Sequence, residues 1–325
     1  MKCLVTGATG FLGTNLVHEL VKEGWEVRAL RRFGSIIKYI KSLPVEICFG
    51  DVTDSEEMDK AVQGMEVVFH VAGDTSWWKK NYNAQTHTNV DGPAIVARSC
   101  IKHGVRRLVH TSTCDALGYN PAGLTDETWG NYTFAGMGYH YGDTKREGEI
   151  NLRQFTRDLE IVILNPGNLI GPYDFTLQFG RLFFDLRDGK LPGCPIGGGS
   201  YAHVREVAKA HIEAARRGRP GENYLCAGYN ITHREFFQTI AEKFGKSAPK
   251  VDIPQWVAVA YGYSSEFISN FTHKKPEVNP GMARYLSAHT YYDSSKAVRE
   301  LDYKIVPLQE MIDDAYDWYK ENGFF

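Results

Sequence analysis

Within its first two dozen residues the chain passes from a short apolar run, Lys2 to Thr6, through Thr6-Gly7-Ala8-Thr9-Gly10-Phe11-Leu12-Gly13 into a helix-period stretch. Phe11, Leu12, Leu16, Leu20 and Val21 fall on one stripe of that stretch, Phe11 to Glu23. A buried strand feeding a helix through three spaced glycines is the strongest constraint in the sequence. Gly7 permits the tight turn, Gly10 lets the backbone approach a ligand, and Gly13 lets the helix pack closely on the strand. The N–H groups and dipole of a helix start favour a pyrophosphate. The spacing is GxxGxxG rather than GxGxxG, but the strand before it and the helix after it give the context that a dinucleotide site needs. Gly7, Thr9, Gly10, Phe11 and Leu12 are therefore candidate cofactor contacts.

The same alternation continues. Glu26–Leu30, Val45–Phe49, Glu66–Val71, Arg107–Thr111 and Glu160–Leu164 read as further strands, with helices over Thr86–His103 and Tyr141–Asp158. Repeated strand–helix–strand units imply an α/β fold: a Rossmann-type, doubly wound parallel sheet covered on both faces. At 325 residues the chain is too long for one comfortable core, so a second lobe is expected. From Gly171 onward the sequence is richer in Pro, Gly and aromatic residues. The expected division is a cofactor domain over 1–170 and a smaller, mixed, mainly substrate-binding domain over 171–325, with a return to the sheet near 203–230. Helices are expected over Val204–Arg217, Arg234–Phe244 and Leu308–Asn322.

Charge narrows the partners. Lys plus Arg number 37 against 39 for Asp plus Glu, so no strongly basic face is implied and nucleic acid is not expected. The longest apolar stretch, around Trp256 to Tyr263, is far too short to cross a bilayer, and no membrane partner is expected. Six scattered cysteines without a CxxC pair, and an N-terminus without a signal-peptide core, point to reduced thiols in the cytoplasm. No His, Cys or carboxylate cluster has metal spacing, so no metal is expected. His70 and His110 read as core or strand-end histidines, and His140 as pocket-facing only through its neighbour Tyr141. Cys114 has no base partner to make it a nucleophile.

Two further features carry chemistry. Where a dinucleotide fold commonly places an acid for the adenosine ribose, the second strand ends in Arg31-Arg32, which suits a 2′-phosphate and favours NADP(H) over NAD(H). Tyr141 and Lys145 are four residues apart on an expected helix and share one face. A phenol ordinarily titrates near pH ~10, and an adjacent ammonium with an oxidised nicotinamide would stabilise its phenolate.

With these residues in place, the sequence resembles the extended short-chain dehydrogenase/reductases, also called the NAD-dependent epimerase/dehydratase family, over nearly the whole chain. The likeness rests on Gly7, Gly10 and Gly13 and on Tyr141-Gly142-Asp143-Thr144-Lys145. It extends to Gly50-Asp51-Val52-Thr53-Asp54, Val68-Phe69-His70-Val71-Ala72-Gly73, Thr88-Asn89-Val90-Asp91-Gly92 and Asn165-Pro166-Gly167-Asn168. The resemblance implies that Asp51 and Val52 lie at the adenine, that Val71, Ala72 and Gly73 run along the cofactor, and that Asn89 is largely structural. It places Pro166, Gly167 and Asn168 beside nicotinamide and substrate, and Tyr141 and Lys145 at the nicotinamide ribose. It puts the third catalytic member, a hydroxyl, on Thr113, with Ser112 as the rival. His203-Val204-Arg205-Glu206-Val207-Ala208 matches a further family segment, with Glu206 where Asp is usual. The Arg-Asp pair that many nucleotide-sugar enzymes carry just before it is Ser200-Tyr201 here. Within the family the dihydroflavonol-4-reductase-like branch is most similar, and the resemblance implies a homodimer formed through a four-helix contact.

Aromatic residues crowd the loops that set specificity: Trp77, Trp78 and Tyr82; Trp129, Tyr132, Phe134 and Tyr139; and Tyr173, Phe175, Phe179, Phe183 and Phe184. Several of them would pack the small lobe or an interface. Trp77, Trp78, Thr113, Tyr139, Asn168 and Tyr173 are the candidate substrate contacts. The resulting expectation is an NADPH-dependent reductase/dehydrogenase of a bulky, apolar or aromatic ketone or aldehyde, using Thr113, Tyr141 and Lys145. The alternatives are a nucleotide-sugar epimerase/dehydratase using the same residues with retained cofactor, and a non-catalytic NADP-binding regulator.

Overall fold

A computed structural model describes all residues 1–325. The chain begins β1 (Lys2–Thr6), α1 (Phe11–Lys22), β2 (Glu26–Arg31), β3 (Glu46–Phe49), α2 (Ser55–Val62) and β4 (Val67–His70). It continues α3 (Tyr82–Thr86), α4 (Gly92–Lys102), β5 (Arg107–Thr111), α5 (His140–Arg153), β6 (Glu160–Pro166) and β7 (Asn168–Ile170). Next come α6 (Gly180–Arg187), β8 (Cys194–Pro195), β9 (Gly198–His203), α7 (Val204–Arg217), β10 (Asn223–Cys226) and β11 (Tyr229–Thr232). The last elements are α8 (His233–Glu242), β12 (Asp252–Ile253), α9 (Gln255–Thr272), α10 (Pro280–Leu286), α11 (Ser295–Leu301) and α12 (Leu308–Glu321).

Seven strands form one sheet in the order β10-β6-β5-β4-β1-β2-β3, every pair of them parallel. Strand alternation sorts the core. Cys3, Val5, Val27, Phe69 and Val109 face α1 and α7, while Leu4, Val68, Leu108, Ile161 and Ile163 face α2, α4 and α5. The doubly wound sheet expected from the sequence is thus present, and its order reverses between β1 and β4, where such sheets hold ligands at the carboxyl ends of the strands. A second core joins Phe183, Phe236, Met311, Trp318 and Tyr319 around the three-stranded sheet β11-β9-β7.

Three elements depart from the sequence expectations. The helix expected over Thr86–His103 starts earlier, at Tyr82, and contains a π-turn over His87–Asp91. The helix expected to reach Asp158 stops at Arg153, and turns fill the five residues that follow. The apolar run at Trp256 belongs to an 18-residue helix, α9.

The π-turn has a packing consequence. It pushes the Asn89 carbonyl toward α5, where a Cβ on Gly148 would come within 2.1 Å of that oxygen. Gly148→Ala is therefore expected to destabilise the protein by about 1–3 kcal/mol through overpacking. Gly130→Ala, where nothing lies within 4 Å, should leave the melting temperature essentially unchanged. A thermal melt of the two variants makes the comparison, and equal melting temperatures would count against the clash.

Candidate active site

The turn after β1 is built for close approach. Gly7 has φ +65°, and a Cβ there would meet the Ala72 backbone nitrogen at 2.7 Å. A Cβ on Gly13 would lie 2.0 Å from the Gly7 carbonyl, so only glycine lets α1 sit this near the strand. Gly10 caps α1 without a side-chain hydrogen bond, and no acidic residue stands in the helix's first turn. The N–H groups at that end are left for an anion, which fits a dinucleotide pyrophosphate. Phe11 and Leu12 are buried behind the turn, and Thr9 lies on its partly exposed side.

The other cofactor candidates line the same carboxyl edge. Arg31 ends β2, with its guanidinium 4.3 Å from the Phe49 ring centre and a hydrogen bond to the Ser35 carbonyl at 3.0 Å. Arg32 is exposed and makes no ion pair. Asp51 accepts hydrogen bonds from the Thr53 amide and hydroxyl at 3.0 and 2.8 Å, and Val52 is buried beside it. Val71, Ala72 and Gly73 follow β4, and a Cβ on Gly73 would sit 3.8 Å from the Lys145 Nζ. Pro166, Gly167 and Asn168 link β6 to β7. Gly167 is wedged there, since a Cβ would lie 2.5 Å from the Ala227 carbonyl and 2.7 Å from that of Ser200.

Helix α5 delivers the catalytic candidates. Tyr141, Lys145, Glu149 and Arg153 recur every four residues on one face. Lys145 is buried and donates to the Thr111 carbonyl at 2.8 Å. Burial lowers its pKa to about 8, while the nearby Glu149 carboxylate pulls it back up. Glu149 is in turn clamped by Asn165 Nδ2 at 2.7 Å and Asn223 Nδ2 at 2.9 Å. Asn165 also donates to the Thr113 carbonyl at 2.9 Å, so one amide ties the catalytic helix to the loop after β5. Sequence reasoning missed Glu149, Asn165 and Asn223 as supporting residues. The four-residue step from Lys145 to Glu149 was the available signal.

Burial pushes the Tyr141 phenol well above its usual value, and the Asp115 carboxylate pushes it further. A hydrogen bond from Thr113 acts in the opposite direction. This differs from the expected stabilisation of the phenolate by Lys145, whose ammonium is engaged with Thr111. Thr113 and its rival Ser112 are both buried after β5. The Thr113 hydroxyl accepts from the Asp115 amide at 3.3 Å, whereas the Ser112 hydroxyl is buried without a partner.

Asp115 was not singled out in the sequence. It is buried and accepts a hydrogen bond from the Tyr139 phenol at 2.6 Å. Burial raises its pKa to about 6, with hydrogen bonds from Tyr139, Thr113 and Tyr285 holding it down. Tyr139 stacks on Trp77 at 5.1 Å and packs on Tyr285 at 4.8 Å, and its ring lies 6.1 Å from that of Tyr141. Trp77, Tyr139, Phe134 and Tyr285 therefore form an aromatic wall beside the phenol. Asn168 opens β7, in register with Tyr201 of β9.

Other candidates lie elsewhere. Trp78 carries Lys80 over its ring at 5.0 Å. Tyr173 stacks on His18 of α1 at 4.8 Å, beside Tyr39 and Trp318, and so packs between the lobes away from Tyr141. His140 stacks on Tyr82 at 3.9 Å. His70 and His110 are buried strand residues with ring centres 5.2 Å apart, and burial next to Lys145 keeps both neutral. The Cys114 thiol donates to the Asn165 carbonyl, and burial raises its pKa well above the ordinary value.

Asp115 gives the site a signature in stability. Its folded-state pKa lies above the ordinary carboxylate value, so stability falls as pH rises from 3.8 to about 6 and the full cost stands above that. Asp115→Asn is expected to raise stability at pH ~7.5, by up to about 3 kcal/mol, with the gain vanishing toward pH ~4 where the wild-type carboxyl is neutral. Denaturant titrations at the two pH values measure it, and a gain independent of pH would contradict the assignment.

Comparison with known proteins agrees with this geometry. Residues 3–227 match the model of the NAD dependent epimerase/dehydratase family. "Sterol demethylase protein B" of Methylococcus capsulatus is 31% identical over 99% of both chains. A dihydroflavonol 4-reductase-like protein of Synechocystis is 29% identical over 98% of this chain and 95% of its own. The crystal structure of gox2253 superposes with a TM-score of 0.86 and 28% identity, covering 99% of this chain and 98% of that one. A glycine turn opening α1, a Tyr–Lys pair on α5 and a seven-stranded parallel sheet place this chain in the NAD-dependent epimerase/dehydratase family of extended short-chain dehydrogenase/reductases.

Proposed function

We propose that the protein is an NADPH-dependent reductase/dehydrogenase of a bulky, apolar or aromatic ketone or aldehyde. The observation that carries this reading is the partly buried Tyr141 phenol, packed against the aromatic wall of Trp77, Tyr139 and Tyr285, whose surroundings hold its pKa above the ordinary value. A neutral phenol is the state required of an acid that protonates a carbonyl oxygen. The similarity to a sterol demethylase protein and to a dihydroflavonol 4-reductase-like protein supports a flat, largely apolar substrate.

A bound nicotinamide supplies the hydride, or accepts it in the alcohol-to-carbonyl direction. Thr113 orients the substrate oxygen and Tyr141 gives it a proton. Lys145, held by Thr111 and supported by Glu149, presents its charge beneath Gly73 where the nicotinamide ribose would lie. The aromatic wall excludes water from the reacting carbonyl. Arg32, exposed and unpaired, takes the 2′-phosphate, and Arg31 stiffens that corner by stacking on Phe49.

The family description favours one other reading, a nucleotide-sugar epimerase or dehydratase that recycles its cofactor through the same residues. NADPH consumption across a panel of aromatic and aliphatic ketones, aldehydes and nucleotide 4-ketosugars separates the two. Turnover of an apolar carbonyl is expected. Tyr141→Phe should lower it by about 10²–10⁴-fold while cofactor binding, followed by fluorescence titration, is retained. Absence of net consumption with every carbonyl, together with tightly retained cofactor, would favour the epimerase.

Cofactor choice is tested on the same enzyme. Arg32→Asp is expected to weaken NADPH relative to NADH by about tenfold or more, since it exchanges an ion pair to phosphate for repulsion. An unchanged ratio of kcat/KM for the two cofactors would remove Arg32 from the phosphate site.

A further inference from the structure

Helix α9 presents an apolar face to solvent. Trp256, Ala260, Tyr263, Phe267 and Phe271 recur at helical spacing along its outer side. Trp256, Phe267 and Phe271 are 74, 64 and 72% exposed, whereas Gly262 and Ser269 are buried on the inner side. At about 1.5 Å per residue the 18 residues make a ridge about 27 Å long. Its one charged residue is Glu266, turned inward onto Lys79 at 2.8 Å. An apolar ridge of this extent on an otherwise ordinary surface marks a docking face.

The charges around the ridge identify what docks there. Residues 250–280 contain three acids, and each is engaged: Asp252 with Arg234, Glu266 with Lys79, and Glu277 with the Tyr261 phenol. The lysines of the same segment, Lys250 at one end and Lys274 and Lys275 at the other, form no ion pair. Lys80 adds to the second group, with its ammonium 2.9 Å from the His273 imidazole. The rim is thus cationic at both ends, and its one carboxylate without a cation partner, Glu277, is outnumbered by Lys80, Lys274 and Lys275. A second copy packed antiparallel on this face would set lysines against lysines. An anionic lipid surface matches both features, with aromatic side chains at the headgroup level and lysines on the phosphates.

We propose that α9 docks the protein on an anionic lipid surface. This departs from the expectation of no membrane partner, which rested on the lack of a spanning segment. No helix is long and apolar enough to cross a membrane, and docking requires none. The ridge lies one layer from the site. Arg284 of α10 joins the Tyr263 phenol to the Met137 carbonyl, at 3.2 and 2.9 Å, and Asn279 holds the Trp77 carbonyl at 2.6 Å. Docking would set the aromatic wall beside the bilayer. If the apolar-carbonyl reading above holds, the substrate class is one dissolved in lipid, whereas docking itself does not depend on that reading.

The test is flotation of the full-length protein with vesicles of phosphatidylcholine, with and without phosphatidylglycerol. Binding is expected on the anionic vesicles, weakened by salt and by at least about tenfold in Lys274→Glu/Lys275→Glu. Phe267→Ser/Phe271→Ser should reduce it comparably. Both variants should keep the wild-type melting temperature and the wild-type turnover of any water-soluble carbonyl substrate. No binding, equal binding to neutral vesicles, or binding untouched by either variant overturns the proposal. A dimer in sedimentation velocity that the phenylalanine variant converts to monomer assigns the ridge to a second copy and overturns it as well.

Discussion

The clamp on Glu149 is the interaction on which the site's geometry rests. Two carboxamides, one from β6 and one from β10, grip a carboxylate on the inner face of α5, and one of them also holds the carbonyl of Thr113. A buried carboxylate is tolerable only with such donors around it. Because Lys145 and Tyr141 stand about one and two turns away on the same stripe, fixing Glu149 fixes their depth and rotation. The same carboxylate helps to keep Lys145 charged against the cost of burial. The geometry of the candidate site, its packing and its electrostatics are joined at one side chain.

A polar strip continues from this clamp across the sheet's carboxyl edge. Thr6, His70 and His110 lie in parallel register on neighbouring strands, and Asn165 lies two residues beyond the partner of His110 on β6. The Thr6 hydroxyl meets His70 Nδ1 at 2.8 Å and receives the Ala72 amide at 3.2 Å, which sets the start of the Val71–Gly73 segment. Asn89 extends the support by bonding the Asp74 backbone in both directions, at 2.8 and 2.9 Å, from within the π-turn. Interiors of α/β sheets are otherwise apolar, and here the polar groups gather at the carboxyl ends of the strands, where Thr6, Asn89 and Asn165 help to place loops.

Much of this was legible beforehand, and the limits have physical causes. The strand–glycine–helix start and the Tyr141–Lys145 pair are local patterns, so they are visible in one dimension. The parallel sheet followed from repetition of one motif. The start of α2 was also readable, since Asp54 accepts from the Glu56 and Glu57 amides as an N-cap would, although the sequence reading passed it over. Asp115 was not legible, because its importance comes from Tyr139, 24 residues away, folding back onto it. Tyr173 was grouped with the substrate residues by composition, yet its neighbour is His18 at the far end of the sequence. Aromatic content cannot distinguish a pocket wall from the packing between lobes. The π-turn escaped notice because one extra residue per turn leaves the hydrophobic spacing nearly intact.

The strand order has a consequence for how the protein is made. β6 pairs with β5 on one side, but its other edge is covered only by β10, which follows β7, β8, β9 and two helices. Asn223, one half of the grip on Glu149, arrives with that strand. On the ribosome the first six strands therefore emerge with an open, hydrophobic margin and a carboxylate beneath it that has only one of its two amide partners, and they stay so until Cys226 has cleared the exit tunnel. Release of a truncated product before that point would yield a sticky sheet rather than a smaller enzyme. The unit of folding here is the sheet together with the segment that leaves it and comes back.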